Sequence, residues 1–198
     1  TGIDVSSNDS LFVVAGGRSS SVVFNAEGGD ESILADNSRS YESFSKFSPN
    51  GKYILHDDNF SVQLIRLSDN KCLLTIDSIS MFTEHRFSPD GAFIISGGNK
   101  KVKIWSVATQ ELITSVTVET SYPENIEMSS NSKYLLCFDN NKSRLLVWET
   151  ATGKLVKTIS ELNYASFVEN GQELRLVHAD GKITTLLIEG DKETIIAR

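Results

Sequence analysis

The chain has 198 residues, of which 39% are hydrophobic and 23% charged, and its 26 acidic against 19 basic side chains leave a net charge of −7. That is enough chain for one sizeable core, and no run approaches the roughly eighteen apolar residues of a membrane span. The acidic balance argues against direct nucleic-acid contact, because such binders present a basic field that displaces counterions from phosphate.

Taken in chain order, the predicted elements keep returning to one phrase. It stands as Val5-Ser-Ser-Asn8, Phe47-Ser-Pro-Asn50, Phe87-Ser-Pro-Asp90, Met128-Ser-Ser-Asn131 and Phe167-Val-Glu-Asn170, with its Asn/Asp positions 42, 40, 41 and 39 residues apart. In Ser48-Pro49-Asn50-Gly51 and Ser88-Pro89-Asp90-Gly91, proline presets position i+1 of a type I turn and glycine suits i+3, so each phrase is a tight reversal. In the first module the phrase precedes strands at Leu11–Ala15 and Val22–Phe24 and a soft turn at Glu27-Gly28-Gly29-Asp30. The second carries Tyr53-Ile54-Leu55, Val62–Leu67, the turn Ser68-Asp69-Asn70 and Cys72–Ile76. Phe93-Ile94-Ile95, Val102–Val107, Ala108-Thr109-Gln110 and Leu112–Val116 repeat the order, as do Tyr134-Leu135-Leu136, Leu145–Glu149, Ala151-Thr152-Gly153 and Leu155–Ile159. The fifth module keeps Gly171, places Glu173 where the others carry an aromatic residue or leucine, and continues through Ile183–Ile188 to Thr194–Ile196. Aromatic and β-branched runs bounded by turn residues are strands. The glycine pairs Gly16-Gly17 and Gly97-Gly98 fit hairpins at the ends of second strands. Phe87 and Phe93 are expected in the core of the middle module.

Four strands per module at a period near forty predict an all-β chain, a β-propeller of four-stranded antiparallel blades with about five blades. The whole of 1–198 is one such region, with modules at approximately 1–36, 37–77, 78–118, 119–160 and 161–198. The chain starts on a first strand without an initiating Met and finishes on a fourth strand. Two arrangements fit: a closed five-bladed ring, or five blades of a larger propeller, and the missing Met favours the larger one.

The run Phe87-Ser-Pro-Asp-Gly-Ala-Phe-Ile-Ile-Ser-Gly-Gly-Asn-Lys-Lys-Val-Lys-Ile-Trp105, followed by Met128 to Trp148 with Leu145-Leu-Val-Trp148, resembles the WD40 repeat family. The resemblance implies a protein-interaction scaffold. Family repeats often join a Gly-His pair, a hairpin Asp, a Ser/Thr and the Trp in a buried hydrogen-bond network. Here there is no Gly-His pair, the Asp position reads Asn59, Asn99, Lys142 and Asp180, and Ser106 or Glu149 follows the Trp. A weakened or missing network, and a WD40-like chain of degenerate repeats, are therefore expected.

No catalytic, cofactor or metal motif is present. His56, His85 and His178 are scattered over three modules, and His56-Asp57-Asp58 fits a polar loop end better than a cation site. Lys101 and Lys103 alternate with Val102 and Ile104, as on a strand with one wet face. Cys72 and Cys137 are expected as two buried, unpaired thiols, which suits intracellular and in the first place cytoplasmic surroundings, with the nucleus left open. Six residues before the apolar residue that begins each turn phrase stand Tyr41, Met81 and Tyr122, with Phe82 and Tyr164 nearby. On a propeller these belong to one rim, and aromatic and Met side chains there suit a protein or peptide partner. The reading is thus a non-enzymatic interaction scaffold that needs no cofactor. Its rival is a propeller enzyme of the lactonase or quinoprotein dehydrogenase kind, which would gather carboxylates and histidines around a metal at its axis.

Overall fold

The fold was analysed in a computed structural model that describes residues 2–15, 21–28, 32–35, 44–57, 61–77, 84–119, 123–139, 143–190 and 192–197, with backbone alone at 32–35, 84 and 124. Among them every regular element is a strand. They are β1 (Gly2–Val5), β2 (Leu11–Ala15), β3 (Ser21–Asn25) and β4 (Ser32–Ala35); β5 (Phe44–Phe47), β6 (Tyr53–Asp57), β7 (Ser61–Arg66) and β8 (Lys71–Asp77); β9 (Glu84–Phe87), β10 (Phe93–Gly98), β11 (Lys101–Ser106) and β12 (Leu112–Thr117); β13 (Glu124–Met128), β14 (Tyr134–Asp139), β15 (Arg144–Glu149) and β16 (Leu155–Ser160); β17 (Leu162–Phe167), β18 (Glu173–His178), β19 (Ile183–Leu187) and β20 (Glu193–Ala197). Each group of four forms its own sheet in chain order. The chain is therefore an all-β propeller-type fold with five four-stranded antiparallel blades. It divides into two compact units, 1–87 and 88–198, so β9 is counted with the first unit.

The recurring phrase has a common geometry. The Ser48 hydroxyl donates to Asn50 Oδ1 (2.8 Å) and accepts the Tyr53 N–H (3.0 Å), while Asn50 Oδ1 also accepts the Lys52 N–H (3.0 Å). Ser88, Asp90, Ala92 and Phe93 repeat this at 2.6, 3.0 and 2.9 Å, and Ser129, Asn131, Lys133 and Tyr134 at 2.7, 3.0 and 2.9 Å. Ser6 with Asn8 and the Leu11 N–H does the same in the first blade. In the fifth, Val168 replaces the serine and only the Asn170 side chain remains, bonded to the N–H groups of Gln172 and Glu173. Two short polar side chains thus satisfy the backbone of a reversal that the ladder cannot reach. The fourth turn residue is left-handed in every blade: Asp9 (φ 57°), Gly51 (65°), Gly91 (70°), Ser132 (57°) and Gly171 (64°).

Blade packing sets the core within each unit. In the first, Val13 and Val23 meet Phe47 and Ile54. In the second, one cluster joins Ile95, Val102 and Ile104 of the third blade to Ile126, Leu135 and Trp148 of the fourth, and another joins Leu136, Leu145 and Val147 of the fourth to Leu174 and Leu176 of the fifth. Phe87 and Phe93 are only partly buried, contrary to expectation; their neighbours Ile94 (0%) and Ile95 (1%) carry the core. Phe93 still packs against the edge of the core cluster that Ile95, Val102 and Ile104 form with the fourth blade.

Gly97 has a packing role rather than a turn role. It lies inside β10 opposite Val102, and a Cβ there would meet Ile126 Cδ1 at 2.1 Å and Pro123 Cγ at 3.2 Å. The hairpin reversal is made instead by Asn99 and Lys100, both with positive φ (50° and 60°). The pair Gly16-Gly17 lies outside the described residues.

Candidate functional site

Of the five rim residues, Tyr41, Met81, Phe82 and Tyr122 lie outside the described residues. Tyr164 is described, on β17, opposite Val177 of β18, and it is 52% exposed. A tyrosine so placed on a first strand offers both a flat apolar face and a hydroxyl to a partner.

The groups able to do acid–base chemistry are placed differently. His56 and Asp57 are not at a loop end, as the sequence suggests; they are the last two residues of β6 and are 0% and 4% exposed. His56 pairs with Ser45 across β5 and β6, and its Nδ1 lies 2.9 Å from Ser45 Oγ and 3.2 Å from Ser21 Oγ. All three side chains are buried. His85 Nε2 stands 3.7 Å from Asp57 Oδ2, and burial pushes the His85 imidazole down to about 4, so it is neutral at physiological pH. A Ser–His contact alone suggests nucleophilic catalysis, yet here the Asp approaches the other histidine, and neither serine faces solvent. The arrangement does what buried polar groups generally do, satisfying one another between strands. Among the described residues no three His, Cys, Asp or Glu side chains converge to hold a metal. His178 bonds Thr184 Oγ1 on the neighbouring strand (2.9 Å) and stands 3.4 Å from Glu193 on β20 of the same sheet. The buried indole N–H of Trp105 has no hydrogen-bond partner, in keeping with the loss of the family's network.

Sequence reasoning missed the turn end of the second unit. A pocket of about 210 Å³ is lined there by Lys133, Tyr134, Gln172, Leu187 and Glu189. Glu189 Oε1 accepts from both the Tyr134 hydroxyl and the Lys133 ammonium, each at 2.5 Å, and the ammonium stands 5.2 Å from the Tyr134 ring centre. These donors hold the Glu189 carboxyl below the usual carboxylate range; the Lys133 ammonium is raised by its hydrogen bond to Glu189, and burial raises the Tyr134 phenol. The two exposed aliphatic pairs Leu112-Ile113 and Leu155-Val156 begin β12 and β16 at this same end. Leu112 and Leu155 sit opposite Trp105 and Trp148. Outer strands reach the next blade's last turn: Thr114 donates to the Thr150 carbonyl (2.9 Å), and Lys157 donates to the Gly190 carbonyl. The signal was present in the sequence as apolar pairs on fourth strands, but a pair does not tell which side chains a neighbour covers.

Cys137 is buried, whereas Cys72 is exposed, because β8 is an outermost strand with a ladder partner on one side only. Both are free thiols. Lys101 is exposed and Lys103 partly so, beside Val102 (0%) and Ile104 (1%), which agrees with a strand wet on one face.

Comparison with known proteins fits this geometry. Residues 70–106 match the family model "WD domain, G-beta repeat". A search of curated protein sequences finds no match. In structure the chain is similar to a chain of Kuenenia stuttgartiensis hydrazine synthase, with a TM-score of 0.64 and 16% identity over 98% of this chain. It spans 64% of that chain's length. At that identity the likeness is one of fold. Strand order and fold are those of β-propeller blades, and residues 70–106 carry the WD repeat signature. Among the described residues no helix is long and apolar enough to cross a membrane.

Proposed function

We propose that the chain is a non-enzymatic scaffold that holds protein or peptide partners. The observation that carries this reading is the distribution of side chains in the second unit, where Tyr164, Leu112, Ile113, Leu155 and Val156 are exposed. An exposed tyrosine buries area at low entropic cost, as interface hot spots do, and the aliphatic pairs add apolar area beside it. The WD40 match at 70–106 supports the same reading, since proteins with this repeat generally bind proteins. Tyr41, Met81, Phe82 and Tyr122, which lie outside the described residues, are proposed as partner-binding residues on the sequence register alone. The two free thiols support a reducing, intracellular setting, cytoplasmic in the first place; Cys72 found blocked in freshly isolated protein, without added reductant, would speak against it.

The test is partner capture with two sets of variants, Tyr41, Met81, Tyr122 and Tyr164 changed together to Ser, and Leu112, Ile113, Leu155 and Val156 changed together to Ser. Loss of capture by one set, with the circular dichroism spectrum unchanged, identifies the working surface. Hot-spot losses are worth roughly 2–4 kcal/mol each. Unchanged capture by both sets removes both surfaces from consideration. The propeller-enzyme reading has its own discriminator: saturable Ca²⁺ binding by calorimetry, abolished by changing a carboxylate, would favour it over the scaffold.

A further inference from the structure

Two of the five turn phrases set an asparagine directly before a glycine, Asn50-Gly51 in the second blade and Asn170-Gly171 in the fifth. Such a pair has a chemistry of its own. The glycine amide nitrogen can attack the asparagine side-chain carbonyl, because no Cβ on the glycine obstructs the approach. In the first and fourth blades Asp9 and Ser132 put a side chain in the way, and in the third Asp90 offers a carboxylate, a poor electrophile.

The two Asn-Gly turns are held differently. Asn50 Oδ1 accepts the Ser48 hydroxyl (2.8 Å) and the Lys52 N–H (3.0 Å), and the same hydroxyl accepts the Tyr53 N–H (3.0 Å). The serine thus clamps the amide to the strand that follows. In the fifth blade Val168 takes the serine's place, and Asn170 Oδ1 accepts from backbone alone, the N–H groups of Gln172 (2.8 Å) and Glu173 (3.3 Å). These donors fold the side chain back over the backbone that follows it. Two N–H groups on one carbonyl oxygen also stabilise the negative charge that nucleophilic attack places there. Gly171 N–H donates to the Val168 carbonyl (2.8 Å) and Gly51 N–H to the Ser48 carbonyl (2.9 Å), so in both turns the attacking nitrogen must first leave a hydrogen bond. The turn without the serine clamp opens more often.

We propose that Asn170 is a site of self-modification by deamidation. The Gly171 nitrogen bonds to Asn170 Cγ, the Cγ–Nδ2 bond breaks, and the side-chain nitrogen leaves as ammonia with the proton that the Gly171 amide gives up. Water then opens the cyclic imide to aspartate or to isoaspartate. Water is the sole co-reactant, and the exposed position of Asn170 gives it access. The product adds a negative charge between Glu169 and Glu173, and its isoaspartyl form adds a methylene to the backbone of the turn. The fourth blade is bonded to that turn: the Ser130 hydroxyl donates to the Glu169 carbonyl (2.7 Å) and Asn131 Nδ2 to the Gly171 carbonyl (3.4 Å). The change therefore accumulates with time at the junction of the fourth and fifth blades.

Peptide mapping by mass spectrometry on the whole chain, held in neutral buffer over a time course, reads both sites in one sample. We expect Asn170 to convert roughly five-fold faster than Asn50, the weight of one net hydrogen bond on the opening of the turn. Val168→Ser restores the phrase of the other blades and should slow Asn170 to the rate of Asn50. Equal rates at the two sites in the parent overturn the proposal, as does a rate at Asn170 that Val168→Ser leaves unchanged. A synthetic peptide of the fifth turn sets the unrestrained rate: if Asn170 in the chain stays intact while the peptide converts fully, the proposal is overturned as well.

Discussion

In the fourth blade all six residues of β14 are buried; in the first blade the corresponding strand, β2, is buried only at Val13 and Ala15. Both are second strands with the same hydrogen-bond pattern and follow the same Ser–Asn turn, so neither propensity nor pairing explains the contrast. Within its unit the fourth blade packs on the third with one face and on the fifth with the other. A blade packed on both faces must be apolar at successive positions, as Tyr134-Leu-Leu-Cys-Phe and Leu145-Leu-Val-Trp are. The fifth blade makes the point with charge: Leu174 and Leu176 are buried, and Glu173 and Arg175, which alternate with them, are not.

The largest effect expected from that contrast is in the fourth blade. Replacing Leu136 or Leu145 by Ala leaves a cavity between two packed blades and should cost about 2–5 kcal/mol, while Arg175→Ala should stay within about 0.5 kcal/mol. Urea titration of the three variants measures both. Equal losses would mean that the fifth blade's wet face is covered after all.

Next comes acidity, which acts on the first unit. His85 titrates near 4 in the folded chain because burial disfavours its charge, and an unfolded histidine titrates near 6.5. The unfolded chain therefore binds more protons between those values, so stability falls as pH drops from about 6.5 toward 4, by up to roughly 3 kcal/mol. Melting temperatures from pH 7.5 to 4.5 should drop more steeply in the parent than in His85→Gln. Parallel curves would show that His85 is not the group responsible.

Between the third and fourth blades the prediction is steric. Gly97→Ala drives a methyl into Ile126 Cδ1, and overpacking of this kind costs roughly 1–3 kcal/mol. Ile126→Val removes that carbon, so the double variant should recover part of the loss, a coupling that a mutant cycle reads directly. Additive losses would place the damage elsewhere.

These contrasts also mark what was legible in the sequence. Period, turn phrase and strand order came from short-range chemistry, and the strands given bounds start within a residue of their expected place, although β6, β10 and β14 run two or three residues beyond it. The turn serines could be read as turn formers, though not as the acceptors of N–H groups five residues on. His56, Asp57 and Cys72 were misplaced because their surroundings are set by residues from other strands, which a one-dimensional pattern does not contain. The register proposed for Tyr41, Met81 and Tyr122 falls outside the described residues, and of the residues near it only Tyr164 is described.

The smallest effect compares one turn position in the first and fourth blades. Asp9 and Ser132 both sit at φ 57°, where the other three blades have glycine. A left-handed L-residue is strained by up to about 1–2 kcal/mol, less for Asp, so Asp9→Gly should stabilise by a few tenths to about 1 kcal/mol. Ser132→Gly relieves the same strain, but it also removes the hydroxyl that donates to Asp90 Oδ2 at 2.6 Å and ties the fourth blade's turn to the third's. A net hydrogen bond to a charged acceptor is worth roughly 1.5–3 kcal/mol when sheltered and less at an exposed turn, so the two terms should offset or leave a slight loss. Differential scanning calorimetry should then show Asp9→Gly melting above the parent and Ser132→Gly at or below it. If both rise equally, the Ser132–Asp90 contact contributes nothing, and the turns of neighbouring blades are joined by packing alone.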